Sequence, residues 1–431
     1  MNISFFTLGC KVNQYETQSL RELFKAEGFN IVGENADFDI AVINSCTVTA
    51  ESDRKTRQLL HRLRRENPNT VIVLTGCMVQ AFSKESAALS DADIIVGNCD
   101  VSRVVYLTKQ FLQNGERIVE VTPHTREQRF NTPDITDFAE RTRAYMKIED
   151  GCNRYCSYCI IPYARGFVRS KPLKNIRDEA ESLAKKGFIE VVLVGINLSA
   201  YGNGEDFNLC DAVDEVCKVA GIKRVRLGSL EPDHISDSML ERFKSQPKFC
   251  PQFHLSLQSG CDKTLKSMNR HYDSYFYADL ITRIRKMFPQ AAITTDIMVG
   301  FAGETEQDFE ESLGFMKKIG FAKTHVFAYS RRQGTVAYNM PNQISKSEKI
   351  KRSRIMLEAA AVSEESFLKS LVGKTVEVLF ETYEKGKNNG YTPCYSRVFV
   401  DSDQSLSGQI KKVKITDYRM DYCIGECVDI N

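Results

Sequence analysis

Residues 150–162 read Asp150-Gly-Cys-Asn-Arg-Tyr-Cys-Ser-Tyr-Cys-Ile-Ile-Pro162, which places Cys152, Cys156 and Cys159 at CxxxCxxC spacing. Thiolates are the preferred ligands of iron–sulfur clusters, and such short spacings let one loop hold one cluster. Three thiolates bind three irons of a 4Fe–4S cluster and leave the fourth iron open. The alternative is structural zinc, which takes four ligands, but no further Cys or His lies in this loop. The stretch therefore predicts a site-differentiated 4Fe–4S cluster.

The pattern of strands around this loop predicts a barrel. The loop directly follows an apolar run at 145–148, and helical patterns separate five further candidate strands at 191–194, 225–227, 254–257, 293–299 and 325–329. Six βα units predict a partial parallel barrel with its active site at the C-terminal strand ends. An open iron there can chelate the amino and carboxylate groups of S-adenosylmethionine, which then supplies radical chemistry. This combination is typical of radical S-adenosylmethionine (radical SAM) enzymes with a (βα)6-type barrel.

The first part of the chain also alternates strands and helices, as in α/β proteins. Its apolar runs lie at 3–8, 40–44, 71–74 and 94–96, and they predict a doubly wound parallel sheet covered on both faces. Cys10, Cys46 and Cys77 each follow the end of one of these strands, where ligands of open parallel sheets gather, so the three could converge. Cys99 follows the fourth strand in the same way. Each cysteine alone could instead be a small buried apolar residue.

Changes in the pattern predict the domain boundaries. We expect the sheet domain at 1–120, a polar linker or packed crossover at 121–142, the barrel at 143–371 and a third domain at 372–431. The charged stretch 345–369 predicts one or two helices that lead out of the barrel. β-type runs at 374–381, 396–400, 408–415 and 426–430, separated by Gly- and Asn-rich turns such as 385–390, predict a small antiparallel β-barrel.

The composition is that of a globular protein, with 42% hydrophobic and 26% charged residues among 431. The formal net charge of +2 neither demands nor excludes a nucleic-acid partner. The first residues lack a signal-peptide pattern and no apolar run is long enough for a membrane helix, so we expect a cytoplasmic protein without a membrane partner. Fourteen cysteines in a reducing compartment indicate metal binding rather than disulfides.

Four motifs carry a resemblance to a known family: Thr7-Leu-Gly-Cys-Lys-Val-Asn-Gln-Tyr-Glu-Thr, Asn44-Ser-Cys-Thr-Val-Thr, Thr75-Gly-Cys and Asp150-Gly-Cys-Asn-Arg-Tyr-Cys. The chain resembles the methylthiotransferases, radical enzymes that replace a C–H hydrogen by a methylthio group. The resemblance covers a cysteine domain, the radical barrel and a C-terminal TRAM domain, which is a small OB-like β-barrel. The Lys-Val-Asn-Gln run after Cys10 is similar to the branch that acts on tRNA threonylcarbamoyladenosine. The isopentenyladenosine and ribosomal-protein branches carry other residues there.

The resemblance implies a second 4Fe–4S cluster on Cys10, Cys46 and Cys77 and leaves Cys99 out. It also implies methylthiolation at C2 of threonylcarbamoyladenosine at tRNA position 37. One S-adenosylmethionine would be cleaved at the loop cluster to make the radical that removes hydrogen from C2. The N-terminal cluster would deliver sulfur that a second S-adenosylmethionine had methylated. The partners would be the tRNA anticodon stem-loop, whose loop bases are largely unpaired, and a reductant such as flavodoxin or ferredoxin.

Polar positions near the strand ends are candidates for cofactor contacts. Gly195 and Asn197 occupy the place where enzymes of this class bind the methionine end of the cofactor, and a plain strand-to-loop turn is the alternative. Ser229 and Glu231 could bond its ribose or amino group, or could cap the following helix. Tyr158 occupies the position that packs against adenine, unless it is a surface aromatic.

Two further polar residues lie along the later strands. Gln258 is placed to face the barrel mouth at the end of its strand. Asp296 is the candidate to organise the cofactor or the substrate. Prolines common in the family are absent at Ala302 and near Ala328, which alters loop stiffness around the pocket. No role is assigned to a last group of cysteines: Cys210, Cys217, Cys423 and Cys427.

RNA contact has two candidate surfaces. The basic helix at 54–65 could meet phosphates, although basic helices are more often solvated. The C-terminal barrel has nearly balanced charge but offers Tyr391, Tyr395 and Phe399 for stacking on bases. Two rival functions stay open. One is methylthiolation of isopentenyladenosine tRNA or of a ribosomal-protein side chain, and the other is a non-catalytic iron–sulfur module that binds RNA.

Overall fold

The computed structural model describes residues 1–138 and 142–428 of the chain. The N-terminal elements are β1 (Asn2–Thr7), α1 (Lys11–Ala26), β2 (Asn30–Ile31), β3 (Ile40–Ser45), α2 (Ala50–Glu66), β4 (Val71–Gly76), α3 (Cys77–Ala81), α4 (Ser83–Ala87), β5 (Ile94–Val96), α5 (Val101–Asn114) and β6 (Ile118–Glu120). The strands form one parallel sheet in the order β2-β1-β3-β4-β5-β6. The predicted parallel sheet is confirmed. The short edge strands β2 and β6 were not predicted, because a strand of two or three residues is too short to show a periodic apolar pattern.

Helices cover both faces of this sheet, as the doubly wound prediction requires. α1 and α5 pack on one face through Leu20, Phe24 and Val104. α2 and α3 pack on the other face through Leu60 and Met78. Because both faces are covered, every residue of β3 is buried, and its first four residues form a continuous apolar run rather than an alternating one.

The second unit is built from parallel strands and crossover helices. Its elements are β7 (Arg143–Lys147), β8 (Glu149–Asp150), α6 (Ile161–Arg165), β9 (Arg169–Ser170), α7 (Leu173–Lys185), β10 (Glu190–Val194), α8 (Leu209–Lys218), β11 (Arg224–Leu227), β12 (Ser229–Leu230), α9 (Asp237–Ser245), β13 (Gln252–Leu255), α10 (Asp262–Ser267), α11 (Ser274–Met287), β14 (Ala292–Val299), α12 (Glu306–Ile319), β15 (Lys323–Ala328) and α13 (Lys346–Lys369). Short 3-10 turns lie at Leu198–Ala200, Pro232–His234 and Val336–Tyr338.

These strands form an open barrel. One sheet has the order β11-β10-β7 and the other β12-β13-β14-β15, and a single bridge between Val225 and Phe249 joins them. The six longer strands match the six predicted ones to within a few residues. The structure adds the small antiparallel pair β8–β9 beside the cysteine loop.

The last unit is a closed five-stranded barrel. Its strands are β16 (Thr375–Glu384), β17 (Lys387–Tyr391), β18 (Arg397–Asp401), β19 (Ile410–Arg419) and β20 (Tyr422–Cys427), in the order β16-β17-β18-β20-β19. The turn predicted at 385–390 is confined to residues 385 and 386, and the rest of that segment is β17. Gly390 is needed there because a Cβ would overlap the Leu379 carbonyl of the neighbouring strand, not because the chain turns. The strand predicted at 426–430 ends at Cys427, and residues 429–431 lie outside the described part.

The crossover between the first two units is irregular but packed where it is described. Ile135 and Phe138 are buried in the same core as the barrel, and Glu22 of α1 accepts hydrogen bonds from the backbone of Thr136. The stretch at 345–369 is one helix, α13. All fourteen cysteines carry free thiols. Among the described helices, none is both long and apolar enough to cross a membrane.

Candidate active site

The CxxxCxxC loop lies between β8 and α6 and is fixed by backbone bonds. Cys152 N donates to Gly166 O at 3.0 Å, and Cys159 N donates to Cys156 O at 2.9 Å. Gly151 has φ +89°, and a Cβ there would overlap a facing backbone carbonyl, so the position requires glycine. The loop therefore presents its three thiols from a defined turn beside the first barrel strand.

A pair of arginines near this loop was missed in the sequence. Arg270 Nη1 donates to Cys156 Sγ at 3.2 Å, and the same guanidinium forms an ion pair with Glu231. Arg154 Nη2 donates to Asp233 Oδ1 at 2.6 Å and lies 3.7 Å from Glu231 Oε2. Glu231 is thus held between two cations. No local pattern could have revealed Arg270, because it meets Cys156 across 114 residues.

Burial dominates the acid–base behaviour of the loop thiols. It raises the pKa of Cys152 to about 12 and raises the pKa of Cys159 as well. Cys156 adds to both shifts, which shows that the three thiols are electrostatic neighbours. Buried thiolates need a cation to be stable, so iron binding here is linked to release of protons.

Two buried oxygens beside the loop have no hydrogen-bond partner among the described residues: Glu149 Oε1 and Asn197 Oδ1. Glu149 is fully buried, and its Oε2 accepts from Asn197 N at 2.7 Å. A Cβ on Gly195 would come within 2.9 Å of Glu149 Cβ, so glycine allows this approach. Burial raises the pKa of Glu149 well above its usual value. Orphaned buried acceptors are costly, and this pair fits the ammonium group of S-adenosylmethionine.

The other predicted cofactor residues lie in three different environments. Tyr158 is not a surface aromatic, because it packs edge-on against Phe301 with ring centroids 6.5 Å apart. Ser229 is exposed on β12 and lines a cavity. Gln258 has a left-handed backbone with φ +68°, and its N–H donates to Asp296 O at 2.8 Å, which fixes it beside β14.

The N-terminal cysteines lie at the carboxyl ends of three adjacent strands. Cys10 precedes α1, Cys46 follows β3 and Cys77 begins α3. Gly9 has φ +117°, and a Cβ there would stand only 2.8 Å from Cys46 Cβ, so glycine lets the first two loops approach. Burial raises the pKa of Cys77 to about 12, against the guanidinium of Arg165 and with the help of Cys46 and Cys10. The three cysteines therefore lie at the same end of the sheet.

Asn13 ties the cysteine loops to one another. Its amide Nδ2 donates to Leu8 O and to Ser45 O, both at 3.0 Å, which joins the loop before Cys10 to the loop before Cys46. Its Oδ1 accepts from Arg165 Nη2 at 3.0 Å. Asn13 belongs to the Lys-Val-Asn-Gln run, so at least one residue of that run joins the two cysteine loops.

Arg165 links the barrel to the N-terminal site. It is fully buried at the end of α6, and its Nε donates to Cys77 Sγ at 3.0 Å. Its other nitrogens bind Glu16 and Asn13 of α1. Cys159 lies only six residues before it. One short helix therefore connects the two groups of cysteines.

A buried ionic network surrounds Arg165. Lys147 Nζ lies 2.7 Å from both Glu16 Oε1 and Asp150 Oδ2, and Arg169 Nη2 lies 3.0 Å from Asp150 Oδ2. Three cations thus face two carboxylates, which leaves one excess positive charge beside the N-terminal cysteines. A doubly positive 4Fe–4S core on three thiolates carries one net negative charge. The charge of the network fits such a cluster.

A cavity of about 730 Å³ connects the three units of the chain. Its wall includes Cys10 and Lys11 from the first unit and Ser229 and Asp296 from the barrel. The C-terminal barrel contributes its share of the wall through Tyr391, Tyr395 and Arg397. A substrate in this cavity would touch both the N-terminal cysteine site and the barrel.

Asp296 is paired inside this cavity with a histidine of β13. His254 Nε2 lies 3.2 Å from Asp296 Oδ2, and its Nδ1 lies 3.0 Å from Thr294 Oγ1. His325 stands next to His254 with ring centroids 5.8 Å apart. Burial lowers the pKa of His325, while Asp296 opposes that shift.

Three of the remaining cysteines have local partners of their own. Cys99 Sγ donates to Thr122 O at 2.9 Å and lies 3.4 Å from His124 Nδ1. Cys210 and Cys423 are buried in apolar cores. Over residues 1–138 and 142–428, no three His, Cys, Asp or Glu side chains are arranged as ligands of a single metal ion.

Residues 2–97 match the family described as uncharacterized protein family UPF0004, and residues 146–316 match the radical SAM superfamily. With the open barrel and the CxxxCxxC loop, this places the chain among the radical SAM enzymes. It is 35% identical to threonylcarbamoyladenosine tRNA methylthiotransferase MtaB of Bacillus subtilis, over 99% of this chain and 96% of that protein. The chain belongs to the family of MtaB-like radical SAM methylthiotransferases, as the motifs predicted.

Other relatives and solved structures are similar to this chain. The MtaB of Aquifex aeolicus is 36% identical over 91% of this chain and 97% of its own length. A tRNA-2-methylthio-N(6)-dimethylallyladenosine synthase of Clostridium perfringens is 34% identical over 98% and 97%. The fold is similar to that of the radical SAM methyltransferase TsrM from Kitasatospora setae, with a TM-score of 0.58 over 78% of this chain and 76% of that chain at 13% identity.

Proposed function

We propose that this chain methylthiolates C2 of threonylcarbamoyladenosine at position 37 of tRNA. The observation that carries the proposal is the shared cavity, whose wall holds Cys10 of the N-terminal site together with Ser229 and Asp296 of the barrel. A reaction that removes hydrogen at one site and adds sulfur from another needs both sites to reach one atom. The MtaB relatives of Bacillus subtilis and Aquifex aeolicus favour the threonylcarbamoyl substrate.

Six cysteines would hold two 4Fe–4S clusters in this proposal. Cys152, Cys156 and Cys159 bind one, and a second set binds the other: Cys10, Cys46 and Cys77. When bound, these clusters and S-adenosylmethionine supply hydrogen abstraction and the methylthio group. The fit of the residues is supported by the orphaned Glu149 and Asn197 oxygens and by the excess buried positive charge next to Cys77.

The side chains of the barrel would bind and orient the reactants. Glu149 and Asn197 accept hydrogen bonds from the ammonium group of the cofactor. Gly195 leaves room beside Glu149 because it has no side chain. Glu231, held by Arg270 and Arg154, and the neighbouring Ser229 present oxygens toward its ribose.

The remaining candidates close the site around the cofactor and the base. Tyr158 and Phe301 form its apolar wall near the cofactor. Gln258 lies beside β14, and its backbone N–H donates a hydrogen bond to the backbone carbonyl of Asp296. Asp296 and His254 face the adenine from the barrel wall and fix its orientation.

Each unit would have one task. We propose the boundaries 1–120 for the N-terminal cluster domain, 121–142 for the crossover, 143–371 for the radical barrel and 372–431 for the TRAM domain. The TRAM domain contributes stacked Tyr391 and Tyr395 to the cavity wall, with ring centroids 4.8 Å apart, which suits an unpaired loop base.

We infer that the reaction runs in the cytoplasm with electrons from a flavodoxin- or ferredoxin-type reductant.

An anaerobic assay tests this function. The reconstituted protein is given S-adenosylmethionine, a chemical reductant and an anticodon stem-loop that carries threonylcarbamoyladenosine. Mass analysis should show addition of a methylthio group and formation of deoxyadenosine. A dimethylallyladenosine stem-loop and a ribosomal protein serve as parallel substrates. Modification of either of these instead would refute the proposed substrate, and absence of deoxyadenosine would favour a non-catalytic module. Iron content should be about eight atoms per chain, and about four would refute two clusters.

A further inference from the structure

Lys11 is a cation in the cavity wall with no anionic partner. It is the first residue of α1, directly after Cys10. Among the described residues, no carboxylate lies within ion-pair distance of its ammonium and no acceptor forms a hydrogen bond with it. Instead, Nζ lies over the ring of Tyr145 at 5.9 Å and over the ring of Tyr395 at 6.0 Å. Aromatic faces stabilise a cation only in part.

Most other charged groups in or near this cavity are paired, and the exceptions in its wall are Arg397 and Asp421. Lys323 Nζ lies 2.8 Å from Glu364 Oε1, and Asp296 is engaged with His254. The arginines nearest to Lys11 also have partners, since Arg143 pairs with Glu381 at 2.6 Å and Arg226 with Glu190 at 3.0 Å. Within the described part of the cavity wall, Lys11 and Arg397 are the cations left without a carboxylate. A partly buried and unpaired cation that faces an open cavity is prepared for an anionic ligand.

We propose that the Lys11 ammonium binds the carboxylate of the threonylcarbamoyl group, and so forms a subsite that selects this base. The inference rests on the proposed function, because the substrate supplies the anion. The chemistry of the base agrees with the position of Lys11. In adenine the connection runs C2–N1–C6–N6, so a substituent on N6 that turns toward N1 lies beside C2. C2 must face the N-terminal cysteine site to receive sulfur, and Lys11 lies in the cavity wall directly after Cys10 of that site.

The same contact would discriminate against an apolar base. A dimethylallyl group has no carboxylate, so its binding would cover Lys11 without pairing the charge. A site that binds a charged group strongly rejects a ligand without that group, because the charge of the site is then left unpaired. An apolar pocket rejects a ligand with one extra group less strongly. Lys11 thus gives a physical reason for choosing between two modified adenines that are otherwise similar.

The test compares three stem-loops that carry threonylcarbamoyladenosine, its methyl ester or dimethylallyladenosine. Binding is measured by fluorescence anisotropy on the reconstituted protein without reductant, so that no turnover occurs. The wild type should bind the acid at least about 10-fold more tightly than the ester, the usual value of a charge-assisted bond. The Lys11→Met variant should bind acid and ester equally, at the level of the wild type with the ester. Lys11→Arg should keep the preference for the acid.

Two controls separate this role from others. Lys25→Met removes an exposed lysine from the last turn of the same helix and should bind all three stem-loops as the wild type does. Iron content and the absorption spectrum check the cluster next to Lys11. If Lys11→Met loses iron, or weakens binding of the ester and the dimethylallyl stem-loop as much as that of the acid, the residue acts on the cluster or the fold and the subsite is refuted.

Failure of the subsite is distinguishable from failure of the proposed function. Equal binding of acid and ester by the wild type would overturn the subsite, even if the acid stem-loop is methylthiolated. Lack of methylthiolation of the acid stem-loop by the wild type would overturn the function itself. Preference for the acid that depends on Lys11, together with methylthiolation of the acid stem-loop, supports both.

Discussion

Arg165 shows how a single side chain can join two distant cysteine motifs. It follows the CxxxCxxC loop in the chain, but its side chain forms hydrogen bonds with the N-terminal unit, at Cys77, Glu16 and Asn13. A guanidinium has five donors in a fixed plane, and a lysine cannot reproduce that fork. The residue thus holds α6 against the cysteine-bearing loops and places a positive charge where a cluster would be negative.

Replacement of Arg165 by Met should disrupt the N-terminal site. Glu16 would lose a buried partner, and breaking one partner of a buried ion pair costs about 3–5 kcal/mol. Iron content should fall toward about four atoms per chain as the N-terminal site loosens, and the free energy of unfolding should drop. Both are measured on purified protein, by iron analysis and by denaturant titration.

The matched control is Arg177→Met, which removes a half-exposed arginine on α7 that pairs with Glu215. Pairs of that kind contribute about 1 kcal/mol or less. Arg165→Lys should fall between the wild type and Arg165→Met. An Arg165→Met protein with full iron content and unchanged stability would show that the network is not needed to hold the site.

The close approach of β3 and β4 sets the distance between Cys46 and Cys77. Gly76 ends β4 with φ +100°, and a Cβ there would overlap both backbone atoms and the side chain of the neighbouring strand end, at Ser45 and Asn44. The Ser45 hydroxyl donates to Thr75 O at 2.6 Å and so locks the two strand ends together. A glycine is therefore required for geometry at the point where the two cysteine loops leave the sheet.

Gly76→Ala should separate the two loops. A non-glycine residue in this backbone region costs about 1–3 kcal/mol, and the overlap adds to that. We expect loss of iron from the N-terminal site with retention of iron in the barrel, so that the content falls from about eight to about four atoms. Gly33→Ala is the control, because a Cβ at Gly33 meets open space. Equal iron content in the two variants would contradict the role given to Gly76.

The elements that the sequence predicted well are those whose signal is local. Long apolar runs gave the parallel strands, and the short spacing of the CxxxCxxC cysteines indicated one loop and one site. β17 was missed because Gly and Asn normally mark turns, whereas Asn388 is buried there and its Oδ1 accepts from Leu406 N at 2.7 Å. Arg270 and Glu149 were missed because their partners lie far along the chain, and only the folded structure brings them together.

The C-terminal barrel docks on the radical barrel through two arginines of β11. Arg226 of β11 donates to Pro393 O at 2.7 Å, and Arg224 donates to Tyr391 O at 3.0 Å. Both arginines rely on one buried carboxylate, Glu190, at 3.0 Å and 3.7 Å. The segment 391–396 that these arginines hold is also part of the cavity wall. Domain docking and the shape of the substrate cavity therefore depend on the same ion group.

The Glu190→Gln variant should weaken this docking in a pH-dependent way. Burial alone would raise the pKa of Glu190, but Arg226, Arg143 and Arg224 prevail and hold it below the ordinary value of 4.5. A carboxyl whose pKa is lowered by folding adds stability above its unfolded pKa and loses that contribution as the pH falls through the folded one. At pH 7 the variant leaves buried arginines without their anion, which should cost about 3–5 kcal/mol.

The difference in unfolding free energy between wild type and Glu190→Gln should therefore be largest at neutral pH. It should shrink as the pH falls below about 4.5, because the protonated wild-type side chain comes to resemble glutamine. Denaturant titrations of both proteins across this range measure the difference, and all other titrating groups cancel in it. Glu181→Gln, at an exposed position on α7, should show no difference at any pH. A constant difference for Glu190→Gln would mean that the carboxylate charge does not hold the two barrels together.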